Sequence, residues 1–355
     1  MSVNKKTTIV SAVLVSSVLL SGCGLFGGES KEKVDPPQEV SYTDGGNAEG
    51  TNGVESSEAG QEEAVANSIM TELYLVDKNG YVVPQTLSLP KTSSVAKQAL
   101  EYLVANGPVS EMLPNGFKGV LPADTQMSVN IQDQVATVDF SKEFANYQPE
   151  DELKIVESIT WTLTQFDSVE KVKLQVNGKE LTKMPVNGTP IANGLTRANG
   201  INIDTKDAVD ITNTKAVTVY YLAGEDGSYY YVPVTRRVAN EQDNNIVAVV
   251  NELVKGPNYA SNLLTDFLPD VQLLDEPKVE NGKVTLNFNE AIFGSMEEKM
   301  VSQHLLDSLV LSLTEQQGIE SIAITVNGEG EIVNEKGEKL AEPVTRPEKV
   351  NTGSF

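Results

Sequence analysis

Few residues of this chain have side chains suited to a catalytic or metal centre. The 355-residue sequence contains one histidine, His304, and one cysteine, Cys23. A Ser-His-Asp triad would have to use that histidine, and a zinc site needs several His or Cys ligands. His304 lies one position off an apolar stripe of helical spacing that includes Leu306 and Leu309. We therefore expect an exposed helical histidine, and we predict no catalytic residue, metal site or cofactor.

Acidic residues are numerous, and one series of them invites a calcium interpretation. Asp204, Asp207 and Asp210 are spaced three apart. The spacing and the glycine of a calcium-binding loop are missing, so we expect solvated linker acids. Because acids are plentiful elsewhere, counting alone leaves a carboxylate pair for glycoside hydrolysis open.

Aromatic residues form a second candidate site. Residues 229–231 are all tyrosine, and Tyr220 and Tyr221 lie on the preceding strand. Strand alternation places Tyr230 on one face and its neighbours on the other. We expect cross-strand tyrosine pairing within a sheet, and the alternative is a face that binds protein or glycan. Trp161, the only tryptophan, is expected beside the core rather than on a sugar-binding platform.

The N-terminus has the layout of a signal peptide. Two lysines precede an apolar run over residues 9–20, which is shorter than the roughly 20 residues that span a bilayer. The run ends in Leu20, Ser21, Gly22 and Cys23, which resembles the bacterial lipoprotein box. We predict cleavage after Gly22 and lipidation of Cys23; the alternative is a plain secretory signal with a chance cysteine. Attachment is stable when two or more acyl chains insert.

The segment after Cys23 predicts a disordered acidic linker over residues 23–70. It is built from Gly, Ser, Glu, Asn and Pro without an apolar period, so it cannot bury enough surface to offset its ordering entropy. The whole chain has a formal net charge of −23. A charge of this sign repels phosphate groups, which excludes nucleic acid as a partner. Solubility outside the cytoplasm is the simplest role for the acids.

The rest of the chain contains two similar copies of one sequence pattern, offset by about 150 residues. Two long apolar patterns and a closing Val-Asn-Gly repeat, whereas Leu121-Pro122 matches Leu268-Pro269 at a slightly smaller offset. Solenoid repeats are much shorter, so this is a duplicated domain. Two acids at candidate buried edges change between the copies, which argues against a catalytic role in the shared fold. These are Asp139 and Glu101, matched by Asn287 and Asn251.

Each copy predicts a small α+β domain. Short alternating strands outnumber helices and occur in clusters, which favours a mainly antiparallel sheet with two helices packed on it. Within each copy, the first helix is expected to stop at a Gly-Pro, after Asn106 and at Gly256. The predicted domains are a signal peptide over 1–22, the lipidated cysteine and linker over 23–70, a first domain over 71–190, a connector over 191–216, a second domain over 217–340 and a polar, loosely ordered tail over 341–355.

The order and duplication of these motifs resemble tandem GerMN domains. Each copy has a strand, a helix with Gly-Pro, a Leu-Pro, a Val-Asp-Phe-Ser or Leu-Asn-Phe-Asn strand and a terminal Val-Asn-Gly. With the lipoprotein box and acidic linker, the chain is similar to sporulation and germination lipoproteins of spore-forming Bacillus-type bacteria. The resemblance implies a non-enzymatic protein in the mother-cell membrane that faces the forespore and supports the channel between the two cells. It also implies a fold similar to ring-building motifs.

Two classes of function therefore stay open. The first is a lipid-anchored scaffold that binds extracytoplasmic sporulation channel proteins by sheet-edge or helix-face packing, with self-association left open. The second is a module that binds or modifies peptidoglycan at the spore septum or cortex. The residues do not identify the surface that would bind a partner.

Overall fold

The computed structural model describes residues 68–113, 116–206, 213–225, 227–240 and 244–352. All of them belong to one compact unit. The first strand begins at Ser68, slightly inside the predicted linker. Cys23, the lipoprotein box before it and the predicted linker up to residue 67 lie outside the described residues.

The first copy consists of a two-stranded hairpin, a four-stranded mixed sheet and two helices. The hairpin is formed by β1 and β2, and the sheet has the order β3-β4-β5-β6. Only its central pair, β4 and β5, is parallel, and helix α2 makes the crossover that a parallel pair requires. Helix α2 also contacts β1, which joins hairpin to sheet. The elements are β1 (Ser68–Val76), β2 (Val82–Pro90), α1 (Val95–Glu101), β3 (Met127–Gln132), β4 (Val135–Phe140), α2 (Glu152–Leu163), β5 (Lys171–Val176) and β6 (Lys179–Glu180).

The second copy repeats this architecture with small additions. Its hairpin is β7-β8, its sheet has the order β14-β12-β10-β9, and α4 connects the parallel strands β10 and β12. A short parallel pair, β11-β13, is added beside the sheet. The elements are β7 (Thr214–Glu225), β8 (Ser228–Ala239), α3 (Asn245–Lys255), β9 (Lys278–Glu280), β10 (Lys283–Phe288), β11 (Met300–Val301), α4 (Gln303–Thr314), β12 (Ser321–Val326), β13 (Val333–Asn334) and β14 (Val344–Thr345).

The alternating sequence of the central strands determines which of their faces is buried. Every second side chain of β4 and of β10 enters the core, as the period of two requires. One continuous apolar core includes residues of both copies. The buried strand residues are Ala136, Val138 and Phe140 in β4, and Val284, Leu286 and Phe288 in β10.

Two predicted helix boundaries were wrong. Helix α1 ends at Glu101, well before Gly107, because the chain turns after Tyr102 to pair Val104 with Leu121. In the second copy, the apolar pattern predicts a second helix from Glu298 to Gln316. Its start is wrong because Met300 pairs in β11, and helix α4 begins only after the Ser302 cap. The matching helix α3 does end at Gly256, as predicted, where a positive φ of 76° suits glycine.

The repeated Leu-Pro motif was also misassigned. Leu121 is fully buried, whereas Leu268 is 53% exposed. The buried counterpart of Leu121 is Phe267, which lies 146 residues later. The same offset relates the backbone bridge between Val76 and Lys118 to the bridge between Leu222 and Leu264. The second Leu-Pro is therefore a coincidence of sequence rather than a shared element.

A further repeat lies in segments that were predicted to be a connector and a tail. Residues 196–203 read TRANGINI and residues 345–352 read TRPEKVNT, which share Thr-Arg, three variable residues and an apolar residue followed by Asn. We call these the bridging segments. The second-last residue of each is an asparagine with a positive φ, 46° at Asn202 and 55° at Asn351. Asparagine tolerates this left-handed conformation better than most residues.

Each bridging segment ties the hairpin of one copy to that of the other. The Asn202 side chain accepts from Val82 N (2.8 Å) and donates to Val82 O (2.7 Å) and to Pro233 O (2.8 Å). Asn351 makes the matching bonds, accepting from Tyr231 N (2.7 Å) and donating to Tyr231 O and Pro84 O (both 2.8 Å). The two copies are thus related by an approximate twofold pattern of bonds.

Backbone pairing beside each asparagine repeats the same exchange. Ile201 and Thr235 exchange backbone and hydroxyl bonds, with Ile201 N donating to Thr235 Oγ1 and Thr235 N to Ile201 O, both at 2.9 Å. Val350 and Thr86 exchange the equivalent pair at 2.9 and 3.0 Å. The prediction of a loosely ordered tail is therefore wrong up to residue 352. Polar composition did not prevent order because Val350 and Asn351 are buried and hydrogen-bonded.

We predict that the bridging asparagines contribute strongly to stability. Asn202→Ala or Asn351→Ala removes three hydrogen bonds and leaves buried backbone groups unpaired, so each should lower the free energy of unfolding by about 2 kcal/mol. Asn187→Ala, at an exposed position, should change it by less than about 0.5 kcal/mol. Urea unfolding of the three variants measures this. Unchanged midpoints for both bridging variants would contradict the role assigned to them.

Candidate functional site

The contact between the copies has an ionic cluster at its centre. The Glu315 carboxylate accepts from Arg197 Nη1 (2.6 Å), from Arg346 Nη1 (3.1 Å) and from the Tyr220 hydroxyl (2.8 Å). Arg346 Nη2 also lies 3.6 Å from Glu72 Oε2, so two arginines face two glutamates. Burial alone would raise the pKa of Glu315, but Arg197 and Arg346 lower it below its ordinary value. The cluster is therefore held in its charged form.

Aromatic rings enclose this cluster. The Arg197 guanidinium lies 4.5 Å from the Trp161 ring centroid, and that of Arg346 lies 5.6 Å from the Tyr220 ring. Both distances are within the range of cation–π attraction. Trp161 is buried, as predicted, and its Nε1 donates to Gly200 O at 3.2 Å. The Glu315 side chain is buried, whereas those of Arg197 and Arg346 are about a quarter to a third exposed, so the arrangement joins the copies through a largely covered ion cluster.

The acids of the repeated strand motif have structural roles that explain the change between copies. Asp139 Oδ1 accepts from Gly178 N at 2.8 Å, and Asn287 Oδ1 accepts from Gly328 N at 2.9 Å. Both tie the Val-Asn-Gly turn to the central strand. An amide oxygen makes this bond as well as a carboxylate. Glu101 is exposed and pairs with Lys97 at 3.4 Å, so the prediction of buried-edge acids was wrong for it.

Sequence reasoning missed Glu152, a fully buried acid at the start of α2. Its carboxylate accepts from the Tyr147 hydroxyl (2.7 Å), Asn187 N (2.6 Å) and Thr189 N (2.8 Å). Burial opposes ionisation, yet these hydrogen bonds lower the pKa of Glu152 to about 2. Its role is to hold the loop after β6 against the helix. Its position three residues after Tyr-Gln-Pro gives no recognisable signal in the sequence.

His304 is half-buried rather than exposed, which corrects the prediction. Its Nδ1 lies 3.2 Å from the Tyr231 hydroxyl, and its ring meets that of Tyr229 edge-on at 5.2 Å. The Tyr231 hydroxyl also donates to Asp307 Oδ2 at 2.8 Å. Aromatic packing therefore surrounds the histidine.

The tyrosines divide between two faces, as alternation predicts, but they do not pair directly. Tyr231 lies opposite Leu222, and Tyr220 lies opposite Pro233. The expectation of direct cross-strand tyrosine pairs was therefore wrong, because the strand register places no tyrosine opposite another. Tyr230 is buried at the contact between the copies, where its hydroxyl donates to Asp77 Oδ2 at 2.8 Å.

The expected linker acids behave differently from a solvated series. Asp204 N donates to Thr235 O at 2.9 Å, and its carboxylate lies 4.0 Å from Arg236 Nε. That arginine also lies 3.1 Å from Glu252 Oε2. Asp204 is therefore a structural partner of Arg236, while Asp207 and Asp210 lie outside the described residues. The described residues contain no group of His, Cys, Asp and Glu that could hold a metal ion.

An open groove of about 360 Å3 lies between the copies on the α2 side. The large apolar residues Leu153 and Ile203 line it and are 54% and 49% exposed. The polar side chains of Lys154 and Glu157 also line the groove, as does Gly80, which has no side chain to fill it. Burial raises the pKa of Glu157 to about 7, although a hydrogen bond from the Asn202 backbone and the charge of Lys154 oppose this. The lining of this groove therefore combines apolar and titratable side chains.

Comparison with known proteins places this geometry in a family. The sequence matches the family described as "Germane: Sporulation and spore germination" over residues 72–182 and 218–331. The chain belongs to the Germane family. The spore germination protein GerM of Bacillus subtilis (strain 168) is 55% identical over 358 residues, covering 98% of each chain. The solved tandem GerMN domains of the sporulation protein GerM from Bacillus subtilis match with 59% identity and a TM-score of 0.77, covering 81% of this chain and 100% of that one.

These matches confirm two predictions for this Germane protein. The resemblance to tandem GerMN domains is confirmed, and so is the α+β fold in two copies. Likeness to ring-building motifs stays a prediction. So does lipidation at Cys23, which lies outside the described residues. None of the described helices is both long and apolar enough to cross a bilayer.

We predict that Asp139 acts as a hydrogen-bond acceptor and not as an acid or base. Asp139→Asn keeps the bond to Gly178 and should change the free energy of unfolding by less than about 0.5 kcal/mol, whereas Asp139→Ala should lower it by about 1 kcal/mol. Urea unfolding and heat-resistant spore counts measure both effects. A sporulation defect for Asp139→Asn at normal protein level would reopen a catalytic role.

We predict that Glu157 makes stability depend on pH. Its folded pKa, about 7, is raised above the unfolded value near 4.3, so ionisation weakens the fold as pH rises through that window. Glu157→Gln stays neutral and should exceed the original chain in stability at pH 8 by on the order of 2 kcal/mol, with the advantage lost at pH 4. Urea unfolding at both pH values tests this. Glu150→Gln, at the exposed rim, is the control, and equal advantages at both pH values would contradict the assignment.

Proposed function

We propose that this protein is a non-enzymatic, lipid-anchored scaffold of sporulating cells. It would lie on the outer face of the mother-cell membrane, facing the forespore, and support the assembly or positioning of the channel complex between the two cells. Family membership supports a place in sporulation and germination. The Leu-Ser-Gly-Cys sequence at residues 20–23 supports the anchor.

The observation that carries the proposal is the joining of two domains into one unit. Enzymes keep their catalytic titratable groups accessible to substrate. Here Glu315, Arg197 and Arg346 are hydrogen-bonded to one another and join the two copies. The result is one unit that carries two similar but unequal copies. Such a unit would hold two partners, or two parts of one partner, next to each other.

Crosslinking in sporulating cells separates this scaffold from the peptidoglycan alternative. Photoreactive residues on exposed positions of each copy should recover extracytoplasmic channel proteins. Purified protein mixed with peptidoglycan at low and moderate salt should neither sediment with it nor release muropeptides. Sedimentation or release, without recovery of channel proteins, would favour the peptidoglycan function instead.

Replacing the proposed lipidation site should separate anchoring from folding. Cys23→Ala removes the only thiol that can carry the diacylglycerol, so we expect the protein to leave the membrane fraction. Its far-ultraviolet circular dichroism and unfolding midpoint should match those of the original chain, because the residue precedes the folded unit. Ser30→Ala, in the predicted linker outside the lipoprotein box, is the matched control and should stay in the membrane fraction. Retention of the Cys23→Ala variant on membranes would contradict the anchor.

A further inference from the structure

The two copies differ most where their hairpins turn. The β7-β8 hairpin continues to a tight turn with Glu225 opposite Ser228, whereas the β1-β2 hairpin already closes beyond the pair of Val76 and Val82. Asp77 accounts for the early closure, because its Oδ1 accepts from the backbone N–H groups of the short turn. The second hairpin is therefore longer and projects further.

This difference changes what covers the adjacent helix in each copy. Val82 and Tyr231 occupy equivalent positions, because each donates its backbone N–H to a bridging asparagine. Counting back two residues makes Gly80 the equivalent of Tyr229. In the second copy, the Tyr229 ring packs on His304 and the Tyr231 hydroxyl donates to Asp307. The longer hairpin thus fills its own groove with two aromatic side chains.

In the first copy, the equivalent helix positions are Lys154 and Glu157, and the space above them is open. A side chain added at Gly80 would meet the Lys154 ammonium at 3.8 Å, just as Tyr229 meets His304. Gly80 has a φ of 87°, so the turn favours glycine and this groove is not filled from within. Trp161 occupies part of the space near Val82, but Leu153 and Ile203 stay exposed.

We propose that this groove binds an aromatic side chain, presented by an extended segment of a partner protein, in the way that the second copy binds its own tyrosines. The proposal rests on the scaffold function and names the site through which it would act. Leu153 and Ile203 would contact the two edges of the ring, and Lys154 would face it as a cation. The Glu157 carboxylate would accept from a phenol hydroxyl as Asp307 does from Tyr231.

The chain itself supplies a suitable probe. The peptide acetyl-Ser-Tyr-Tyr-Tyr-Val-amide has the sequence of residues 228–232, which fills the groove of the second copy. A dye-labelled form is titrated with the full chain in detergent and followed by fluorescence anisotropy. The control peptide acetyl-Ser-Ala-Tyr-Ala-Val-amide lacks the two groove-facing rings. We expect saturable binding of the tyrosine peptide and at least tenfold weaker binding of the control peptide.

Paired variants locate the binding. Leu153→Arg should weaken binding of the tyrosine peptide at least tenfold, whereas Gln303→Arg, at the matching position of the second copy, should leave it within twofold. Lys154→Met provides a second groove variant in case Leu153→Arg unfolds, and should weaken binding several-fold. Equal binding of both peptides, no saturable binding, or no effect of either groove variant would overturn the proposal.

The same variants in sporulating cells distinguish this proposal from the broader one. If the original chain crosslinks to channel proteins while the peptide does not bind, the groove is wrong and the scaffold stands. If the peptide binds in the groove but no channel protein is recovered, the scaffold is wrong and the groove stands as a binding site. Loss of channel crosslinks in Leu153→Arg, with Gln303→Arg unaffected, supports both together.

Discussion

The fixed relation between the copies depends on two asparagine side chains that connect strands which cannot pair directly. Pro84 and Pro233 lie in β2 and β8, and proline has no N–H with which to continue a ladder. Asn202 and Asn351 each use one acceptor and two donors to connect the backbone of one hairpin to the proline carbonyl of the other. Because an asparagine amide can make both kinds of bond, it replaces a strand pairing that proline prevents.

The ionic cluster then determines how tightly this contact is held. Arg197 and Arg346 are the second residues of the two bridging segments, and both bind Glu315. Glu72 lies 3.6 Å from Arg346 as a second acidic partner. Loss of one partner from such a cluster is costly, because the buried Glu315 carboxylate would then lack part of its charge compensation. The approximate twofold pattern is broken here, since Gln165 stands where the second copy has Glu315. The two copies therefore share a fold, but a single acid, Glu315, binds the arginines of both bridging segments.

Much of the fold could be predicted from the sequence, because it depends on periodicity. Alternation gave the central strands, and the duplicated apolar patterns gave two α+β domains. The bridging segments were missed because they are polar and their order comes from contacts with residues more than 100 positions away, as for Asn202 with Val82. The same limit applied to His304, whose burial depends on the hairpin tyrosines rather than on its own helix. The groove could not be predicted, since it follows from the length of a turn fixed by Asp77.

The measurement that most directly tests this account is the distance distribution between the two copies. Spin labels on cysteines introduced at the exposed Lys179 and Lys278, in a Cys23→Ala background, report it by double electron–electron resonance. Joined copies should give one narrow distribution, which broadens when Asn202 and Asn351 are both replaced by alanine. A broad distribution for the parent protein, unaffected by those replacements, would contradict a fixed relation between the copies.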